Sequence, residues 1–140
     1  MNERGARIAL VVVDLFAAVS AIVGAIGLVA GYMNIPLGVL AGTPFADFTV
    51  PALLLGLVVG GSALAAAAVA LLGPRRIETL ASVAAGCVMV GWMSIEVAMI
   101  GLDVWVQAAY FVVGLVMIGL AGLLEWTKPA TASVRGLRAG

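Results

Sequence analysis

The chain has 140 residues, of which 64% are hydrophobic and 10% charged, with a mean hydropathy of +1.25 that lies outside the range of soluble globular domains. In water such a composition would leave large apolar patches exposed, so the solvent expected for most of its surface is lipid. The formal net charge is zero, yet the seven basic residues (Arg4, Arg7, Arg75, Arg76, Lys128, Arg135 and Arg138) all stand outside the long apolar runs, a distribution that gives nucleic-acid binding no basis.

A hydrocarbon core of about 30 Å needs roughly 20 apolar residues at helical rise, and four runs meet that length. The first, 8–30, follows a basic arm as a secretory signal would. It is too long for an ordinary signal core and contains Asp14, so it reads as a retained helix. Residues 31–50 form the least regular stretch, with Pro36, Pro44, three glycines, Tyr32, Phe45 and Phe48, and read either as a packed outer connector or as a lid over a ligand.

The second span, 51–73, carries no charge. Pro51 suits a first helical turn, and Gly73-Pro74 closes the helix. Because lipid supplies no hydrophobic force between helices, close approach depends on small residues, and Gly56, Gly60 and Gly61 are the expected helix-packing positions. The third and fourth spans, 80–100 and 104–124, are joined by 101–103 and must form an antiparallel hairpin. Trp105 and Trp126 flank the fourth span as interface anchors, and 131–140 is a short tail. No run alternates polar and apolar residues as a membrane barrel requires.

Every Lys and Arg falls in the N-terminal arm, the 74–79 loop or the C-terminal tail, whereas 31–50 and 101–103 contain none. The positive-inside rule therefore predicts both termini on the cytoplasmic side of the cell membrane. The fold class expected is an all-α integral membrane protein, a four-transmembrane-helix bundle with N-in/C-in topology, forming one domain over 1–130.

Chemistry is sparse. The chain has no histidine, which excludes histidine-based triads and metal sites, and its single Cys87 excludes an intrachain disulfide. No nucleophile has a base beside it and no Gly-rich loop cradles a nucleotide, so neither catalytic activity nor a cofactor or metal is expected. The informative groups are ionisable residues within spans. Glu125, beside Trp126, reads as a boundary charge. Asp14 lies about 10 Å into its helix and should face the bundle, as a structural polar contact or as a coupling group.

Glu96 shares a helix face with Ser82, Ala85, Met89, Trp92 and Met99, and the short hairpin places Gln107 at nearly its depth, with Tyr110, Phe111 and Gly114 on the same face of the fourth span. Glu96, Gln107, Tyr110, Trp92 and Asp14 are therefore the candidate ligand or proton residues. Helical rise separates Asp14 from Glu96 by roughly 16 Å, too far to act on one bond.

In helix number and length the chain resembles the small multidrug resistance transporters, whose first span carries a proton-coupling glutamate. Here that span has Asp14, no motif is shared, and the basic residues favour a single orientation. Two readings stay open. One is a non-enzymatic accessory, interaction or lipophilic-ligand-binding protein; the other is a small transporter or channel subunit using Glu96 and Asp14. Membrane lipid is the expected partner, together with further copies of the chain or a larger membrane complex.

Overall fold

The computed structural model describes residues 2–32, 34–100 and 105–127. The 101–103 connection, Lys128 and the tail expected over 131–140 lie outside the described residues. Among the described residues the regular structure is entirely helical, and its four long helices are apolar enough to cross a membrane.

Helix α1 is Glu3–Ala30. It starts ahead of the apolar run because Asn2 Oδ1 accepts a hydrogen bond from the Gly5 N–H at 2.8 Å, a cap that brings Arg4 and Arg7 into the first two turns. Its end is closed by Gly31 at φ 75°, with the Tyr32 N–H donating to Gly27 O at 3.1 Å, a backbone shape that favours glycine. A single 3₁₀ turn, Leu37–Leu40, follows and buries Leu40.

Helix α2 is Thr49–Leu72. Asp47 Oδ1 accepts from the Thr49 N–H at 2.9 Å at its start, and Pro51 occupies the first turn, where its missing N–H costs nothing. It ends at Gly73, which is extended as a residue before proline must be. The stretch Leu54–Gly60 widens into a π-helix, and two of its glycines lie against α1. A β-carbon on Gly56 would be 3.0 Å from Ala25 Cβ, and one on Gly60 would be 3.0 Å from Ile22 Cγ1. Gly61 points into open space. Helices α3 (Glu78–Ile100) and α4 (Trp105–Thr127) complete the bundle.

Each helix packs on its sequence neighbours, and α4 returns to pack on α1, so α1 and α3 run parallel and face each other across the middle. The core is made of small and pliable residues: Ala17, Ala18 and Ala21 from α1, Val59, Ala63 and Ala66 from α2, Ala85 and Met89 from α3, and Met117 from α4. Larger aliphatics such as Val12, Val19, Val23, Leu57, Leu64 and Leu71 point outward. That inverts the soluble pattern and is the arrangement expected of a membrane protein. Trp105 and Trp126 are both exposed, and the 21 helical steps that separate them on α4 correspond to about 31 Å, close to the hydrocarbon thickness.

Candidate functional site

Polar side chains inside the bundle fall into three layers. The first is an ion-pair network at the end that carries the basic residues. Arg7 from α1 grips Glu78 at the start of α3 with two hydrogen bonds, Nε to Oε2 at 3.0 Å and Nη2 to Oε1 at 2.9 Å. Glu78 is buried, and the fork geometry makes this the strongest charged contact described in the chain. Glu3 Oε1 lies 3.3 Å from Arg7 Nη2 and 3.5 Å from Arg75 Nη1, so two guanidinium groups from different segments converge on one oxygen. At the same end the Thr79 hydroxyl donates to Glu125 Oε2 at 2.9 Å and ties α3 to α4.

The second layer joins Asp14 to Ser82. Asp14 is completely buried, and its Oδ2 accepts from Ser82 Oγ at 2.9 Å across the middle of the bundle, while Oδ1 has no protein partner. Parallel running of α1 and α3 explains the match, because each residue lies a short way in from the same end.

The third layer lies toward the opposite end. Gln107 Nε2 donates to Glu96 Oε1 at 3.1 Å. The amide thus serves the carboxyl as donor, and its own Oε1 is buried without a partner, as is the Trp92 indole Nε1. Trp92 and Tyr110 both pack against the edge of the alanine–methionine core. Glu96, Gln107, Trp92 and Tyr110 therefore occupy one end of the α3–α4 hairpin, whereas Asp14 belongs to another layer. Ser82 and Glu96 are fourteen residues apart on α3, about 21 Å by helical rise.

Between these layers the core is Ala, Val and Met. The other serines in the spans are satisfied locally, with Ser20, Ser62 and Ser94 donating to carbonyls of Phe16, Val59 and Val90 in their own helices. Among the described residues no group of three or more Cys, Asp or Glu side chains is arranged to hold a metal ion.

Sequence reasoning left Arg7 in the N-terminal arm and Glu78 within the 74–79 loop without pairing them, and placed Ser82 only on the Glu96 face. The available signal was depth: Arg7 with Glu78, and Asp14 with Ser82, each lie at similar distances from the same ends of two helices that must run parallel. Comparison of the chain with models of protein families, with curated proteins and with solved structures finds no significant match.

Proposed function

We propose that this chain is a multi-pass protein of the cell membrane with both termini cytoplasmic, acting as a non-enzymatic accessory or interaction subunit. The observation that carries the reading is the alanine–methionine core between two separately partnered carboxyls: Asp14 accepts from Ser82, Glu96 accepts from Gln107, and the side chains clustered between these layers are Ala, Val and Met. Such a core favours a packed bundle over a conducting one. Purified protein reconstituted into vesicles with an internal pH dye tests it. Wild type and Glu96→Gln should give the same background proton flux when lipophilic cations are added; cation-driven flux in wild type that disappears in Glu96→Gln overturns the reading.

A second reading, a small transporter or channel subunit coupling protons or cations through Glu96 and Asp14, draws on the unpartnered Asp14 Oδ1, Trp92 Nε1 and Gln107 Oε1. An ionisable residue within a membrane helix is by default a functional-site candidate, and Asp14 and Glu96 both qualify. The same vesicle assay with Asp14→Asn tests it: loss of cation-driven flux supports the transporter reading, and absence of any such flux in wild type rejects it.

A further inference from the structure

The charged residues of 31–50, of 101–103 and of the last turns of α3 are Asp47, Asp103 and Glu96, and no Lys or Arg occurs in 8–74 or 77–127. Glu96 thus has no cationic side chain of its own chain at its level. Gln107 Nε2 donates to Glu96 Oε1 at 3.1 Å, and Glu96 Oε2 accepts no hydrogen bond among the described residues. Because a carboxylate only accepts, the amide turns its N–H side to Glu96, and Gln107 Oε1 is left beside the carboxyl with no donor from the protein. Gln107 is 4% exposed, so that oxygen is withheld from bulk solvent. Two acceptors held side by side, one charged and one neutral, call for a donor that is itself positively charged.

The kind of cation follows from the same geometry. A quaternary ammonium carries no N–H and would leave Gln107 Oε1 unanswered. A guanidinium is best met by both oxygens of a carboxylate in a fork, and Gln107 already occupies Oε1. A calcium ion needs more oxygens than this pair offers, and among the described residues no group of three Cys, Asp or Glu side chains supplies them. A primary ammonium is compact and has three N–H donors that rotate, so it can serve Glu96 Oε2 and Gln107 Oε1 together. Trp92, four residues before Glu96, and Tyr110, three residues after Gln107, both stand one turn further into the bundle and offer its carbon chain an apolar path. We propose that Glu96 and Gln107 bind a primary ammonium group whose carbon chain runs along Trp92 and Tyr110. The ammonium meets the half-buried Glu96 first and reaches the buried amide oxygen as the Glu96 side chain turns. Gln107 lies two residues past the exposed Trp105, about 3 Å by rise, so the pair stands at the level of lipid headgroups, where an aminophospholipid or a soluble alkylamine can present the group. The inference takes Glu96 as a binding group, as the second reading above does, and rests with it on the membrane reading.

The test uses full-length protein with Trp105→Phe and Trp126→Phe, in which Trp92 is the remaining tryptophan. Titration with butylamine in detergent should change the Trp92 emission saturably, and tetraethylammonium over the same range should leave it unchanged. Glu96→Gln should weaken butylamine binding about tenfold and Gln107→Leu about fivefold, with the melting of each variant recorded alongside. Should Glu96→Gln fail to fold, Gln107→Leu decides. Asp47→Asn removes another negative charge while keeping an acceptor for the Thr49 N–H, and should bind as the parent does. The source is read in nanodiscs of phosphatidylcholine with a minor share of phosphatidylethanolamine, by native mass spectrometry of the lipids retained on release. Preferential retention of phosphatidylethanolamine that Glu96→Gln abolishes assigns the ammonium to a lipid; butylamine binding without such retention assigns it to a soluble amine.

An equal response to tetraethylammonium overturns the proposal, as does equal weakening by Asp47→Asn, which would point to diffuse negative charge. Unchanged binding in Glu96→Gln and Gln107→Leu overturns it too, and so does a Trp92 emission indifferent to butylamine together with no preference for phosphatidylethanolamine. Binding without cation-driven flux in the vesicle assay removes the transporter reading and keeps this inference, whereas flux without binding of a primary ammonium removes this inference alone.

Discussion

Gly86 and Gly114 face each other across α3 and α4 so closely that a β-carbon on Gly86 would stand 2.9 Å from Gly114 O, and one on Gly114 would stand 3.2 Å from Gly86 O. The crossing point of the hairpin is thus a contact of backbone with backbone. Gly86→Leu should lower stability by about 1–3 kcal/mol through overpacking, read as a fall in Tm in detergent. Gly61→Leu, whose side chain would enter open space, should melt as wild type does. Equal melting of the two variants would mean that α3 and α4 do not cross at these glycines.

The Arg7–Glu78 fork makes a second expectation. Arg7→Ala leaves a buried carboxylate without its bidentate partner and should cost about 2–3 kcal/mol, below the figure for a wholly buried pair because the Arg7 side chain is 23% exposed. Replacing both members with apolar residues, Arg7→Met with Glu78→Leu, should recover most of that loss. A double variant no more stable than Arg7→Ala would mean that the pair contributes through its charge and not through mutual satisfaction.

For Asp14 the informative change is Asp14→Asn, which keeps an acceptor for the Ser82 hydroxyl at nearly constant volume. Stability should stay within about 1 kcal/mol of wild type. A larger loss, measured by thermal unfolding, would show that Oδ1 is held by a group that an amide cannot satisfy.

Topology is checked by reporter fusions after Asp47, Glu78, Asp103 and Gly140, which should read outside, inside, outside and inside in turn. An outside signal at Glu78 would overturn the assignment of the basic loops to the cytoplasmic side.

The four long helices are legible in the sequence because hydropathy over some 20 residues needs no knowledge of partners. Their ends are less so: the Asn2 cap carries α1 back to Glu3, and α4 continues to Thr127 beyond the apolar run. The contact of Glu96 with Gln107 follows from a short connection that fixes the register of two adjacent helices. Asp14 with Ser82 and Arg7 with Glu78 are separated by 68 and 71 residues and join helices that are not neighbours, so periodicity along either helix carries no trace of them.

Glycines are ambiguous for a related reason. Gly56, Gly60 and Gly61 look alike in a list, yet only the first two oppose α1, and Gly86 gains its role from the residue across from it. The π-helical widening of α2 likewise has no marker in its run of aliphatic residues.

The diagonal placement of α1 and α3 has a consequence for the order in which the molecule is made. Asp14 and Arg7 emerge during synthesis some seventy residues before Ser82 and Glu78, the partners they hold in the finished bundle. Until α3 arrives, the α1–α2 hairpin carries the Asp14 carboxyl without Ser82, and Arg7 has its contact with Glu3 but not the fork with Glu78. The two polar bridges therefore close only once α3 is in place, so the pairing that ties the first helix into the bundle waits for the third.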